Sequence, residues 1–224
     1  MENLKALTEA VCCVAREAGH FLKEERKSFR REVVQEKHAH DYVSYVDKAS
    51  EKKVVSALRK LLPEAGFIAE EGSAAYSDET YCWVVDPLDG TTNYIHDNAP
   101  YCVSIALRDK QSLLLGVVYE PCRDECFYAW KGGGAYVNGE RLRVSLVSEL
   151  KDAFVVTELP YNFEQYARTG EHLIHELYGK VAGIRMNGSA ALALCYVAAG
   201  RFDAWLEAFI GKWDFSAAAL MVLE

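Results

Sequence analysis

No apolar run in this 224-residue chain comes near the roughly 18 residues that a membrane span needs; Leu113 to Tyr119 is among the longest. No basic segment leads from Met1 into an apolar stretch, so no signal peptide is expected and the cytoplasm is the expected location. The seven cysteines are scattered singly apart from Cys12-Cys13, and Cys122 and Cys126 have no histidine beside them. That pattern fits neither a zinc site nor a disulfide framework, and points to reduced thiols in a reducing compartment. Positive charge is also scarce. Against 33 acids stand 25 Lys and Arg, a net charge of −8, with no basic stripe to offset it. Neither nucleic acid nor a membrane is therefore expected as a partner. The one basic run, Arg26-Lys27-Ser28-Phe29-Arg30-Arg31, reads as a solvated helix end or as a phosphate contact. Internal repeats and low-complexity linkers are absent.

What is present is ordinary globular composition, 50% apolar and 26% charged. Leu4, Leu7, Val11, Val14, Ala15, Ala18, Phe21 and Leu22 recur at three- and four-residue steps and predict a helix over residues 4–22. A second is predicted over 48–62, stopped by Pro63. Short apolar segments at 66–69, 81–85, 103–107, 113–119 and 125–130 follow, joined by short polar connections that predict antiparallel neighbours. Gly132-Gly133-Gly134 and Asn138-Gly139 read as turns, since no lysine or helix start follows the glycines to make a phosphate loop. Beyond residue 150 the texture alternates: strand 153–157, helix 163–178, strand 181–186, helix 189–199, strand 202–207 and a final helix from Asp214 to Val222. This predicts a first lobe of two helices and a mostly antiparallel sheet over residues 1–148, and an α/β lobe over 149–224.

Acidic residues mark four places: Asp47 in "YVSYVDKASE", Glu70 in "FIAEEG", Asp86 and Asp89 in "WVVDPLDGTTNY", and Asp214 in "KWDFSAAALMV". Each has a plain structural explanation. Asp47 and Asp214 suit helix N-caps, and Asp-Pro-Leu-Asp-Gly suits a β-turn. Taken together they suggest more, because acids at the ends of separate buried strands repel one another unless a cation neutralises them. An all-oxygen set points to a hard ion such as Mg2+. Thr91 and Thr92 add hydroxyls that can orient a water, and backbone N–H groups from Gly90 onward can seat an anion. Metal ions, an activated water and a phosphate seat describe phosphoryl hydrolysis.

The stretch "WVVDPLDGTTNYIH", with "YVSYVDKASE" and "FIAEEG" before it and "NGSAALALCYVAAGRFDAWLE" and "KWDFSAAALMV" after it, resembles the inositol monophosphatase family of metal-dependent phosphatases over essentially the whole chain. The resemblance implies an α+β fold, a layered αβαβα sandwich of the sugar-phosphatase type, and a C-terminal lobe shorter than in relatives. It implies two or three Mg2+ ions. Glu70, Asp86 and the Leu88 carbonyl would hold the first, and Asp86, Asp89 and Asp214 the second. Lys37, in "QEKHAHD", would approach a third, weaker ion near Glu70. Thr91, paired with Asp47, would orient and deprotonate the attacking water, and the Gly90 and Thr91 N–H groups would hold phosphate. Gly188, Ser189, Ala190 and Glu207 would contact hydroxyls of the alcohol, with Asp214 beside them. The implied substrate is a small phosphomonoester, inositol 1-phosphate foremost. 3′-Phosphoadenosine 5′-phosphate, fructose 1,6-bisphosphate, histidinol phosphate and a non-catalytic binding role are the alternatives, and a homodimer is the implied assembly. The chain departs from the family after His96, where Asp97-Asn98-Ala99-Pro100-Tyr101 replaces a glycine and a shorter loop. His96 itself is taken as structural.

Overall fold

The structure is a computed structural model that describes residues 3–38, 41–74, 79–159 and 163–224. The first helix, α1 (Leu4–Arg26), is capped by Asn3, whose side chain accepts from the Ala6 N–H at 3.0 Å. Its stripe of Val11, Ala15, Ala18 and Leu22 packs with Val54, Val55 and Leu58 of α2 (Tyr45–Leu61). α2 begins before the expected residue 48 because Ser44 and Asp47 close a capping box. Asp47 is therefore the third residue of the helix rather than its N-cap. Between the two helices lies a hairpin of β1 (Gln35–His38) and β2 (Asp41–Val43). Its strands are too short for alternation to announce them. Lys37 stands on β1, and its side chain lies outside the described residues.

Seven strands form one sheet in sequential order: β3 (Gly66–Ala69), β4 (Cys82–Asp89), β5 (Cys102–Arg108), β6 (Leu113–Glu120), β7 (Glu125–Trp130), β8 (Gly134–Val137) and β9 (Glu140–Arg141). β3 and β4 are parallel, and every later pair is antiparallel. A short helix, α3 (Thr91–Ile95), connects β4 to β5. The triglycine makes the β7–β8 turn as expected. The N–H groups of Gly132 and Gly134 point at an anion after all, but it is the protein's own Glu224 carboxylate, at 2.7 and 3.0 Å.

Val103, Ile105 and Leu107 of β5 face α1 and α2, while Cys102 and Ala106 face the other way. There they meet α5 (Ala190–Ala198) and α6 (Lys212–Leu223). α5 is apolar and almost wholly buried, as a helix packed on both sides must be. On its far side lies a parallel three-stranded sheet with β10 (Phe154–Thr157) between β11 (Gly183–Arg185) and β12 (Ala204–Leu206). Leu173 and Leu177 of α4 (Phe163–Leu177) cover its outer face against Val155 and Ile184. The layers are thus helix, sheet, helix, sheet, helix. α6 rests on β6 with nothing between the backbones: a Cβ on Gly116 would lie 2.2 Å from the Ala217 carbonyl oxygen. No helix among the described residues is long and apolar enough to cross a membrane.

Candidate active site and metal centre

In a regular strand, residues three apart face opposite sides. Asp86 and Asp89 would therefore diverge if β4 were regular, and a turn after Val85 would take both out of the sheet. Neither happens. β4 runs on to Asp89 with every residue buried, but Asp86 pairs with Ser104 and Asp89 with Cys102, so one extra residue bulges from β4 between them. Pro87, which has no N–H to give the ladder, sits in that bulge. Trp83, Val85 and Leu88 consequently face α1 and α2, while Val84 faces α5 and α6. Both acids point toward α5 and α6, and one oxygen each from Asp86, Asp89 and Asp214 falls within 4.8 Å of the others.

Each acid is fixed by the backbone around it. Asp86 Oδ1 accepts the Leu88 N–H at 2.9 Å. Asp89 Oδ2 accepts the Ser189 hydroxyl at 2.6 Å and the Ala191 N–H at 2.9 Å, with the Cys102 thiol at 3.6 Å. Asp214 is the third residue of α6, not its N-cap, and its Oδ2 accepts the Gly211 N–H at 2.6 Å. Glu70 follows β3 where its N–H donates to Val85 O at 3.2 Å, beside Asp86. A cavity of about 490 Å³ opens between the end of β3 and the start of α6, lined by Phe67, Ala69, Gly211 and Trp213 among others.

Burial and mutual repulsion push this group toward protonation. Burial raises Asp86 well above the usual carboxylate range, and Glu70, Asp89 and Asp214 raise it further. Asp89 is pushed up to about 6, chiefly by burial, against the pull of the Ser189 and Ala191 hydrogen bonds. Burial and then Asp89 push Asp214 up to about 7. A divalent cation fits here: the donors are all oxygen, they converge, and the charges acting on Asp86 are themselves acidic.

Beside these acids, Thr91 Oγ1 donates toward Asp47 Oδ1 and toward the Leu88 carbonyl, each at 3.0 Å. The other Asp47 oxygen accepts from Ser44, N–H at 2.8 Å and hydroxyl at 2.6 Å. Burial raises the Asp47 carboxyl, opposed by those hydrogen bonds from Ser44 and Thr91. Gly90, with φ of +91°, is the left-handed residue from which α3 starts. A Cβ there would come within 3.1 Å of the Gly188 and Pro100 carbonyl oxygens. The starts of α2, α3, α5 and α6 all reach this cleft, through Asp47, Gly90, Ser189 and Asp214. Their N-terminal dipoles add positive potential where an anion would sit.

The remaining candidates ring the same cleft. Ser189 is buried; it caps α5 and binds Asp89. Ala190 follows it, also buried, and Gly188 turns with φ of +73° against Asn93. Glu207, just after β12, is pushed up to about 8 by burial, then by Glu158, Asp89 and Asp214. Its Oε2 is buried with no hydrogen-bond partner among the described residues. His96 ends α3 as its C-cap. Asp97, in the departing loop, takes φ of +59°, a conformation glycine adopts freely, and Arg26 Nε pairs with it at 3.1 Å. The Arg31 Nε–H also donates to Ile95 O, at 3.3 Å, so two arginines of the basic run brace the α3 segment.

Sequence reasoning passed over several residues that hold the cleft together. Asn93 donates to Pro100 O at 2.7 Å and Asn187 O at 2.9 Å, and Glu158 accepts the N–H groups of Asn187 and Gly188. On α2, the Ser50 hydroxyl donates to Pro87 O at 3.1 Å, and Glu51 accepts two N–H groups from the loop after Glu70. Their spacing was visible: residues 47, 50 and 51 form one polar helical face in an otherwise apolar stripe.

Relatives share this architecture. The chain is 40% identical over 211 residues to the Nus factor SuhB of Escherichia coli (strain K12), spanning 94% of this chain and 79% of that protein. It is 36% identical over 224 residues to the fructose-1,6-bisphosphatase/inositol-1-monophosphatase of Aquifex aeolicus, spanning 100% of this chain and 85% of that protein. In structure it matches the extragenic suppressor protein suhB from Bartonella henselae with a TM-score of 0.91 and 37% identity, covering 98% of this chain and 85% of that one. Residues 3–224 match the description of the inositol monophosphatase family, and the chain belongs to that family of phosphatases.

Proposed function

We propose that this chain is a Mg2+-dependent phosphomonoester hydrolase acting on inositol 1-phosphate or a closely similar sugar phosphate. The observation that carries this reading is the convergence of Asp86, Asp89 and Asp214 within 4.8 Å. Asp86, Asp89 and Asp214 would hold one ion. Glu70, Asp86 and the Leu88 carbonyl would hold another, and a third would lie near Glu70 and Lys37. When bound, such ions neutralise phosphate oxygens and make a water more acidic.

The chain's own groups would do the rest. With the Leu88 carbonyl turned to a metal ion, the Thr91 hydroxyl would donate its hydrogen to Asp47 Oδ1, 3.0 Å away, leaving its oxygen free to accept the proton of an attacking water. Asp47 would be the final proton acceptor, kept in place by Ser44. The N–H groups of Gly90 and Thr91 would seat the phosphate, and the close approach of Gly188 and Pro100 to Gly90 closes the pocket behind it. Gly188, Ser189, Ala190, Glu207 and Asp214 would line the alcohol side, where the unpartnered Glu207 oxygen suits a hydroxyl donor. As the ester P–O bond breaks, the leaving alkoxide would take a proton from a second water, giving inorganic phosphate and the free alcohol, and Asp47 would return its proton to solvent.

A panel of inositol 1-phosphate, fructose 1,6-bisphosphate, 3′-phosphoadenosine 5′-phosphate and histidinol phosphate, assayed with and without Mg2+, tests the reading. Fastest turnover of the inositol ester, dependent on Mg2+, is expected. Fructose 1,6-bisphosphate is the second choice, since the Aquifex aeolicus relative is named for both activities. Absence of hydrolysis of every ester would favour a non-catalytic role, such as the Nus factor role for which the Escherichia coli relative is named. Cytoplasmic location and a homodimer complete the proposal, the latter checked by light scattering after size-exclusion chromatography.

A further inference from the structure

Glu51 is fully buried on α2, one turn beyond Asp47, and is not among the groups assigned to the proposed reaction. Its two oxygens accept the N–H groups of Glu71 and Ser73, each at 2.7 Å. Between those two lies Gly72, with φ of +69°. The loop Glu71-Gly72-Ser73 thus turns two alternate backbone N–H groups onto one carboxylate, while the Gly72 N–H between them donates to Ala69 O at 3.2 Å. On the other side of Glu70, the strand ladder ends at Ala69 opposite Val85, and the Glu70 N–H still donates to Val85 O. Glu70 is consequently fastened on both flanks, by β4 before it and by Glu51 after it. Ser50, the neighbour of Glu51, fastens the β4 bulge through Pro87 O, and Asp47 fastens Thr91. One face of α2 therefore sets the mutual position of three separate pieces of the cleft.

We propose that Glu51 is a positioning residue that sets the cation affinity of the site through Glu70, a role that rests on the metal-dependent reading above. Buried groups that orient a ligand without touching the ion commonly change affinity by about 10–100-fold when altered. Glutamine keeps the shape of Glu51 but presents one acceptor and one donor to two N–H groups, so the loop must release one of them.

The test compares wild type, Glu51→Gln and Glu51→Asp by Mn2+ titration followed by electron paramagnetic resonance, a readout independent of turnover, with Mg2+ dependence of hydrolysis measured alongside. The expected result for Glu51→Gln is weaker Mn2+ binding by about 10-fold or more. The Mg2+ demand should rise in parallel, with kcat recovered at saturating Mg2+ and the metal-free variant still unfolding cooperatively, at a cost of no more than the one released hydrogen bond. Glu51→Asp, which keeps both acceptors on a shorter arm, should fall between. Wild type that binds Mn2+ with Glu51→Gln binding it equally well overturns this proposal alone. Wild type that binds no cation overturns it together with the metal-dependent reading. Loss of fold in both variants at every metal concentration also overturns it, in favour of a purely architectural role.

Discussion

Thr91 Oγ1 and Asp47 Oδ1 lie 3.0 Å apart although 44 residues separate them in the chain. Asp47 serves the start of α2 with one oxygen and Thr91 with the other. Thr91→Val preserves shape and removes the hydroxyl. The expected outcome is a fall in kcat of about 10²–10⁴-fold, the range for losing a positioned proton acceptor. KM and the far-ultraviolet circular dichroism should stay near those of wild type. Steady-state kinetics on the preferred ester check this, and a kcat within a factor of about two would remove the pair from the reaction.

Asp89→Asn should abolish turnover without unfolding the protein. Asn keeps an acceptor for Ser189 and Ala191, so the cap of α5 can survive while the negative charge is lost. In wild type, millimolar Mg2+ should raise the melting temperature, because a ligand that binds only the folded state stabilises it. In Asp89→Asn that rise should shrink or vanish. Retained activity would take Asp89 out of the site.

Glu207 gives the metal-free protein a pH dependence of definite sign. Its carboxyl is raised to about 8, so between about pH 4.5 and 8 the folded state holds a proton that the unfolded state has released. Its contribution to stability therefore declines as pH rises through that window and levels off above about 8. Asp214, raised to about 7, acts in the same direction. Glu207→Gln removes the first contribution. Measured by urea unfolding in EDTA, the variant should gain on wild type by roughly 3 to 4 kcal/mol between about pH 5 and pH 8, at about 1.4 kcal/mol for each pH unit crossed between the two pKa values. A difference that does not change with pH would show that Glu207 ionises normally.

Gly116→Ala should cost far more than a methyl group normally does in a strand. The new Cβ would fall 2.2 Å from Ala217 O, a backbone atom that cannot rotate away. Overpacked positions of this kind lose about 1–3 kcal/mol, and the upper end is expected because α6 must move as a body. Asp214 moves with it. Thermal unfolding and Mg2+ dependence should both shift, whereas Gly139→Ala, with open space around it, should leave the Mg2+ dependence alone.

Most helices and most strands were legible from periodicity, because long amphipathic runs such as 4–22 leave little room for another reading, whereas the layer order came only from the family resemblance. β1 and β2 were not, since three or four residues carry no measurable period. The cleft was legible as a set of acids and as a family resemblance, but the means by which Asp86 and Asp89 meet was not. A strand followed by a turn and a strand with a bulge read alike in Trp-Val-Val-Asp-Pro-Leu-Asp, and only pairing with Cys102 and Ser104 separates them. Pro87 was the available hint. The positions of Asp47 and Asp214 were misjudged by three residues for one shared reason: each carboxylate reaches back from the third helical position to accept the N-cap N–H, of Ser44 and of Gly211. Glu51 and Glu158 escaped notice because their partners are backbone N–H groups, which no residue pattern displays.

Four helices begin at one cleft, and the partial charge at a helix start belongs to its peptide units, whatever side chains they bear. Substitution around the rim leaves that potential in place. A scaffold of this kind can drift toward a different alcohol while its grip on the phosphoryl group is inherited unchanged.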